Sequence, residues 1–372
     1  MKRLALFAVL LLAGVAKPPA AMSITPVAFP YGHSTVTPYV VADGNGFDLS
    51  WVDGRTLEFA HFDGVKWSRW TRIAHGEMLQ NRADYPSIAV SGRNVFAQWR
   101  EKAGKGRRIR LSRSNDGGET WSKPVTPHPV MDREFGFVSM LPLADGTARI
   151  VWLDGRVKPT ALRAATMTSA GTLVGEEVVD PRVCDCCQTA EAMTSRGPIV
   201  VYRDRSQNEL RDIAISAPVA NAHGALVHND AWHLTGCPVN GPRIDARGAH
   251  AVVAWYTAAR ENPEVLAAFS RDGGATFGAP IRVDAGHAGG RVDVVLLADD
   301  SAIVTWVETA TSAAKIMARR VTSSGALEPP QTVGTSRAAI GFPRIALSNQ
   351  SILAAWNGDD GVHLAMLKTR IR

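Results

Sequence analysis

The sequence predicts an all-β chain folded as a β-propeller, with seven four-stranded blades, or six if the terminal units merge. Two observations predict it. First, an aromatic residue closes a short apolar run at Trp51, Trp99, Trp152, Tyr202, Trp255, Trp306 and Trp356, at spacings of 48, 53, 50, 53, 51 and 50 residues. Runs such as Phe47-Asp48-Leu49-Ser50-Trp51 and Ala251-Val252-Val253-Ala254-Trp255 alternate or are continuously apolar, as half-buried or buried strands do. Second, no helical period competes with these runs, and four short strands per unit repeated along the chain are the mark of radial repetition.

Composition agrees. The 372 residues are 45% hydrophobic and 20% charged, with 33 Gly and 21 Pro, which excludes a disordered tail or a coiled coil. Ten Trp against five Tyr is an unusual ratio, and the anchor positions account for most of the excess. The net charge of +6 is spread along the chain. Its one short cluster, Lys102, Lys105, Arg107, Arg108 and Arg110, reads as a solvated loop, so no nucleic-acid partner is expected.

The elements follow in chain order. Met1-Lys2-Arg3, the apolar run Leu4 to Val15 and the small residues up to Ala21 read as a secretory signal over 1–21. Residues 22–372 then form one exported domain, periplasmic or secreted, with no later apolar stretch near the ~18 residues a membrane span needs. Ser23-Ile24-Thr25-Pro26-Val27-Ala28 is the strand that completes the last unit and closes the ring. Closure removes the two open edges of the array. Within a unit, Pro38, Pro86, Pro242 and Pro343 each lie thirteen residues before their aromatic and open a first strand, where a missing ladder donor costs nothing. A turn such as Ala144-Asp145-Gly146-Thr147 leads to the aromatic strand, and two short strands follow, as in Leu57 to His61 and Thr71 to Ile73. The last unit stops after three, at Val362 to Leu367.

Two octamers repeat in one register. Ser114-Asn115-Asp116-Gly117-Gly118-Glu119-Thr120-Trp121 and Ser270-Arg271-Asp272-Gly273-Gly274-Ala275-Thr276-Phe277 place their Asp 17 residues, and their closing aromatic 22 residues, after the unit's anchor. In a hairpin between third and fourth strands, Asp116 and Asp272 bond turn amides, Gly118 and Gly274 supply positive φ, and Trp121 and Phe277 plug the blade. The pattern resembles the Asp-box (bacterial neuraminidase) repeat of sialidase-like propellers. That resemblance implies a structural role for Ser114, Asp116, Gly118, Trp121, Ser270, Asp272, Gly274 and Phe277, away from any active site.

The loops on the other face carry the candidate site. Polar residues follow the anchors in Trp152-Leu153-Asp154-Gly155-Arg156 and Tyr202-Arg203-Asp204-Arg205, and an acidic residue two after the anchor recurs in five of seven units. First-strand positions add Arg243, Arg291, Asp293 and Arg344. Arg203, Arg205, Arg243, Arg291, Arg344, Asp154 and Arg156 are therefore candidate clamps for an anionic ligand, unless the Asp-Gly-Arg turns only satisfy their own blades. If the chain is a glycoside hydrolase, Asp204 or Asp293 is the acid and Tyr256 the nucleophile. The Phe-Arg-Ile-Pro-like motif that the sialidase resemblance implies is missing; its echo, Phe342-Pro343-Arg344-Ile345, is permuted and late in the chain.

All four cysteines lie between Cys184 and Cys237, in Val183-Cys184-Asp185-Cys186-Cys187-Gln188 and Gly236-Cys237-Pro238, the opening loops of units four and five. Four cysteines allow three pairings, among them Cys186–Cys187 with Cys184–Cys237 and, equally feasible, Cys184–Cys186 with Cys187–Cys237. Disulfides suit an exported protein, whereas thiolates would hold a soft metal such as Cu or Zn, with His233 as a candidate further ligand, or form a redox pair. The Cys triplet, Arg-Asp-Arg and Cys-Pro-Val-Asn-Gly-Pro together resemble an exported bacterial subfamily of sialidase-like propellers. The expected partner is an anionic small molecule or glycan bound by a monomer on the Cys/Arg-rich face. The alternatives are an exo-sialidase-type hydrolase with a rearranged catalytic set, and a periplasmic Cys-based metal-binding or redox protein.

Overall fold

The computed structural model describes residues 22–32, 35–79, 81, 83–216, 224–309, 313–337 and 341–369, so the expected signal segment lies outside the described residues. Seven antiparallel sheets form. Blade one consists of Thr35–Asp43, Gly46–Asp53, Thr56–Phe62 and Thr71–His75, and blade two of Ser87–Ser91, Asn94–Ala103 and Gly106–Ser114. Blade three consists of Phe135–Pro142, Ala148–Asp154, Ala161–Met167 and Leu173–Asp180; blade four, of Ala190–Thr194, Gly197–Arg203, Ile213–Ser216 and Ala225–Leu226. Blade five is Arg243–Arg247, His250–Thr257, Glu264–Ser270 and Ile281–Arg282; blade six, Asp293–Leu296, Ala302–Glu308, Ala314–Val321 and Gln331–Ser336. Blade seven is Arg344–Ser348, Ser351–Asn357 and Val362–Lys368. Its fourth strand is Ser23–Val27, paired from Ser23 with Lys368 to Val27 with Leu364, so the N-terminal strand closes the ring as the sequence indicates. Blade two is the exception to four strands: its fourth is reduced to one bridge, Leu111 with Val125.

The ring is closed on the inside as well. Each blade's first strand packs against the first strands of both neighbours, and blade seven meets blade one. Pro86, Pro242 and Pro343 sit one residue ahead of their first strands, where no ladder donor is lost. Pro38 instead falls in the irregularity between Val36 and Tyr39, and Thr37 before it takes φ 52°.

The core is divided into seven apolar clusters, one between each pair of neighbouring blades. Each anchor aromatic enters the cluster shared with the preceding blade: Trp99 faces blade one, Trp152 blade two, and Trp51 blade seven across the closure. Burying an indole removes about 200 Å² from water, worth roughly 5 kcal/mol before entropy. The fifty-residue period therefore records one wedge per blade interface.

Three of the five acids two residues after the anchor have a structural explanation. Glu101, Asp154 and Glu308 accept the indole N–H of Trp99, Trp152 and Trp306 at 2.9, 2.9 and 3.2 Å. Tyr202 instead donates to Asp180 at 2.7 Å, and Trp255 to Asp230 at 2.8 Å. A buried indole needs an acceptor, and a residue on the same strand two positions on lies on the same face.

The two octamers form near-identical turns. Ser114 Oγ donates to Asp116 at 2.5 Å and accepts from Gly118 N at 2.8 Å, and Asp116 accepts from Thr120 N at 3.0 Å. Ser270, Asp272, Gly274 and Thr276 repeat these bonds at 2.7, 2.9 and 3.0 Å. Gly118 takes φ 89° and Gly274 φ 83°, and a Cβ on either would strike the neighbouring blade at Phe59 or Ile199. Hydroxyl and amide donors around Asp116 and Asp272 hold both carboxyls down at about 2.

Candidate functional site

Strand register selects one ring of side chains. The first-strand residue opposite the position before each anchor is Tyr39, Ser87, Ser139, Ala190, Arg243, Asp293 and Arg344 in blades one to seven. Six of these seven line a single cavity of about 60 Å³, which therefore lies on the propeller axis. That volume holds a few water molecules or one carboxylate-sized group, not a sugar ring.

The ring is neutral on one side and charged on the other. Asp293 is buried between Arg243, whose Nε donates to it at 3.1 Å, and Arg344, whose Nη1 lies 3.5 Å away. Asp293 also accepts from the backbone of Val294 and Ile345, both at 3.0 Å. Two guanidiniums against one carboxylate leave one positive charge over. Arg344 is 1% exposed, stacked on the rings of Tyr39 and Tyr85 at 5.2 and 4.8 Å. Its Nε and Nη1 and the Tyr85 hydroxyl are buried without a hydrogen bond. Burial drives the Arg344 pKa down to about 10; the Arg243 pKa is raised, because Asp293 and Tyr39 together outweigh burial.

Across the cavity, Glu191 is buried, accepting from Arg149 at 2.5 Å and Ser139 at 3.1 Å. Burial lifts its carboxyl to about 7, in spite of the Arg149 charge. Asp84, paired with Arg100, is likewise raised by burial. Gln188 bridges the axis, donating to the Ala83 carbonyl of the blade-two loop and accepting from Gly241 N at 2.9 Å.

The structure brings together Arg243, Asp293 and Arg344 among the residues singled out from sequence. Arg291 stands beside them, its guanidinium 5.9 Å from the Phe342 ring centre. Asp154 and Arg156 are taken up within blade three: Arg156 forks onto Asp154 at 2.7–3.0 Å and pairs with Glu176 at 2.9 Å. Arg203 is a buried strut, donating to the carbonyls of Asn240, Arg211 and Tyr256 at 2.5–3.0 Å. Arg205 pairs with Glu209 at 3.1 Å. Asp204, Asp293 and Tyr256 share no hydrogen bond or ion pair among the described residues. Asp204 bridges to Val183 and Tyr256 packs on Trp232, while Asp293 stays in its arginine pair. Burial raises Asp204 to about 6.

Tyr39, Tyr85, Ser139 and Glu191 escaped the sequence reading. A signal existed for the first: the residues just after Pro38, Pro86, Pro242 and Pro343 are Tyr39, Ser87, Arg243 and Arg344, four members of the ring.

The cysteines do come together across blades four and five, but neither of the two pairings named from the sequence forms. The disulfide joins Cys186 to Cys237, with Cα atoms 6.2 Å apart, and leaves Cys184 and Cys187 as buried thiols. The turn decides which sulfurs meet. In the tight turn after Val183, Cys184 and Cys187 face inward, while the partly exposed Cys186 faces the exposed Cys237. Three sulfurs, Cys184, Cys186 and Cys187, lie close enough to share an ion, but the Cys186 sulfur is committed to Cys237. His233 bridges to Leu210 through its backbone.

No family model and no curated protein matches the chain. Solved structures do. An ulvan lyase of polysaccharide lyase family PL25 aligns with TM-score 0.61 at 8% identity, covering 91% of this chain and 97% of that one. The GH93 α-L-arabinofuranosidase of Fusarium graminearum aligns at 0.52 and 10%, covering 92% and 97%. A protein of unknown function from Dyadobacter fermentans aligns at 0.52 and 14%, covering 93% and 98%. Identities this low show a shared seven-bladed propeller fold.

Proposed function

We propose that this propeller binds an acidic saccharide, seating one carboxylate or sulfate in the axial cavity against Arg344 and Arg243 while the sugar rings stay outside. The observation that carries it is Arg344: a buried guanidinium with two nitrogens, Nε and Nη1, that make no hydrogen bond, at the wall of a cavity sized for one anion. Such donors cost free energy in the fold and regain it only from an acceptor. Three things support a glycan. The fold is shared with a lyase whose structure was solved with a glucuronate–rhamnose-sulfate saccharide and with an arabinofuranosidase. The two octamers resemble Asp-boxes, which widens the class to sialic acids. The disulfide fits an oxidising, exported setting, and no described helix is long and apolar enough to cross a membrane.

Calorimetric titration with oligoglucuronate, sialyllactose and a neutral oligosaccharide tests this. The expected result is binding of an acidic member alone, weakened about 10- to 100-fold in Arg344→Ala, since hydrogen bonds to a charged group contribute roughly 1.5–3 kcal/mol. Equal affinity for the neutral sugar, or an unchanged variant, refutes it.

A second reading, cleavage of the bound saccharide, is favoured by Glu191. A carboxyl at about 7 on the same cavity wall can give or take a proton at neutral pH. Under that reading Glu191→Gln keeps binding and loses product release.

A further inference from the structure

The sulfurs form a second site, independent of the axial ring. Cys184 Sγ lies 3.6 Å from Cys187 Sγ and 3.7 Å from Cys186 Sγ, so one buried thiol touches both its buried neighbour and the disulfide. Cys184 and Cys187 are 1% and 2% exposed and out of reach of any external reagent, whereas Cys237 is exposed. Two buried guanidiniums flank the group. Arg203 is fixed by carbonyls, and Cys184 N donates to its carbonyl at 3.1 Å; Arg211 is 2% exposed and held by Glu209 at 2.6 Å and the Leu234 carbonyl at 3.1 Å. Fixed positive charge favours a thiolate and disfavours a bound metal cation, which separates exchange chemistry from ion binding.

We propose that the four cysteines form a thiol–disulfide exchange site, in which the disulfide moves from the exposed Cys186–Cys237 pair to the buried Cys184–Cys187 pair and frees a surface dithiol that reduces an external disulfide. The Cys184 thiolate attacks Cys186 Sγ, forming Cys184–Cys186 and releasing the Cys237 thiolate. The Cys187 thiolate then attacks Cys184 Sγ, forming Cys184–Cys187 and releasing the Cys186 thiolate. One disulfide and two thiols stand on each side, the two thiol protons passing from Cys184 and Cys187 to Cys186 and Cys237. When an external disulfide is present, the Cys237 thiolate attacks it and expels one partner thiolate. Cys186 then attacks Cys237 Sγ and expels the second. The partner gains two electrons and two protons, and the protein ends with two disulfides.

The polarity of the pair suits this order. The Cys187 hydrogen bond and the Arg203 and Arg211 charges lower the Cys184 thiol, the attacking group of the first step. Burial raises Cys187, which acts second.

The test is native alkylation with iodoacetamide and no reductant, at about pH 8 where ordinary thiols are partly ionised, followed by trypsin and mass spectrometry. Trypsin separates 183–196, which holds three cysteines, from 212–243, which holds Cys237. The expected result is a growing population with the two peptides unlinked, Cys186 and Cys237 alkylated, and an internal Cys184–Cys187 disulfide. That population is lost in Cys187→Ser and in Cys184→Ser, either of which serves if the other fails to fold. A wild-type protein that keeps only the Cys186–Cys237 link, with Cys184 and Cys187 alkylated only after denaturation, overturns the proposal. Saccharide binding is a separate measurement, so the two proposals fail independently.

Discussion

Replacing Arg344 with methionine separates a residue kept for a ligand from one kept for the fold. Burial holds the Arg344 guanidinium at about 10, against an ordinary value of 12.5, so keeping its charge inside costs about 3 kcal/mol. The ion pair with Asp293 at 3.5 Å and the contacts over Tyr39 and Tyr85 offset only part of the cost of burial. Asp293 retains Arg243 and two backbone donors when Arg344 is gone. Methionine fills nearly the same space without the charge, and buried ionic groups replaced by apolar ones of similar volume are often neutral or stabilising. Arg344→Met is therefore expected to change the unfolding free energy by less than about 1 kcal/mol, or to raise it, while weakening saccharide binding about 10- to 100-fold. Arg243→Met removes the closer partner of a buried carboxylate and is expected to cost about 3 kcal/mol or more. Denaturant unfolding of the two variants beside the wild type measures both. Equal, large destabilisation by both would refute the reasoning, because Arg344 would then be a structural ion-pair partner like Arg243.

Glu191 predicts an unusual pH profile. Its folded pKa of about 7 lies above the ordinary 4.5, so the folded state holds the proton more tightly, and its stabilising effect is full below about 4.5 and lost as pH rises through about 7. The loss is about 3 kcal/mol over that interval. Asp245, raised by burial to about 6, acts in the same direction. Melting curves from pH 5 to 7 should show falling stability, flattened in Glu191→Gln, and a rise would contradict it. Asp154→Ala leaves the buried Trp152 indole without its acceptor and Arg156 with Glu176 alone, and is expected to destabilise by about 1–3 kcal/mol while leaving saccharide affinity unchanged. Asp116→Ala and Asp272→Ala each remove turn bonds in different blades and should cost about 1–2 kcal/mol apiece, adding in the double variant, as denaturant unfolding would show.

The fold was legible because each blade needs one large wedge at a fixed place, and tryptophan at that place is visible in sequence. Closure was legible for a related reason: a last unit ending at Val362 to Leu367 needs an edge partner, and Ser23 to Val27 supplies one. Blade two departs because Val125 forms only one bridge, and nothing in the run after Trp121 distinguishes a strand from such a fragment. The site was legible in part. Arg243 and Arg344 share a register that proline and anchor spacing reveal, but Asp293 follows no proline and lies one residue further from its anchor, and Glu191 and Tyr85 sit outside that register. The polar Asp154 and Arg156 resembled ligand groups because a carboxylate capping an indole and one clamping a substrate use the same residue type. Disulfide connectivity was hidden for another reason. Two sulfurs in a three-residue turn face opposite ways according to backbone angles that cysteine spacing does not encode.

The most direct test of the axial site is a crystal structure of the protein with an acidic oligosaccharide that binds it. The account predicts an anionic group within hydrogen-bond distance of Arg344 Nε or Nη1, on the axis between Tyr39, Tyr85 and Arg243. A saccharide seated elsewhere, for instance beside the turns at Asp116 or Asp272, with the Arg344 guanidinium untouched, would contradict it.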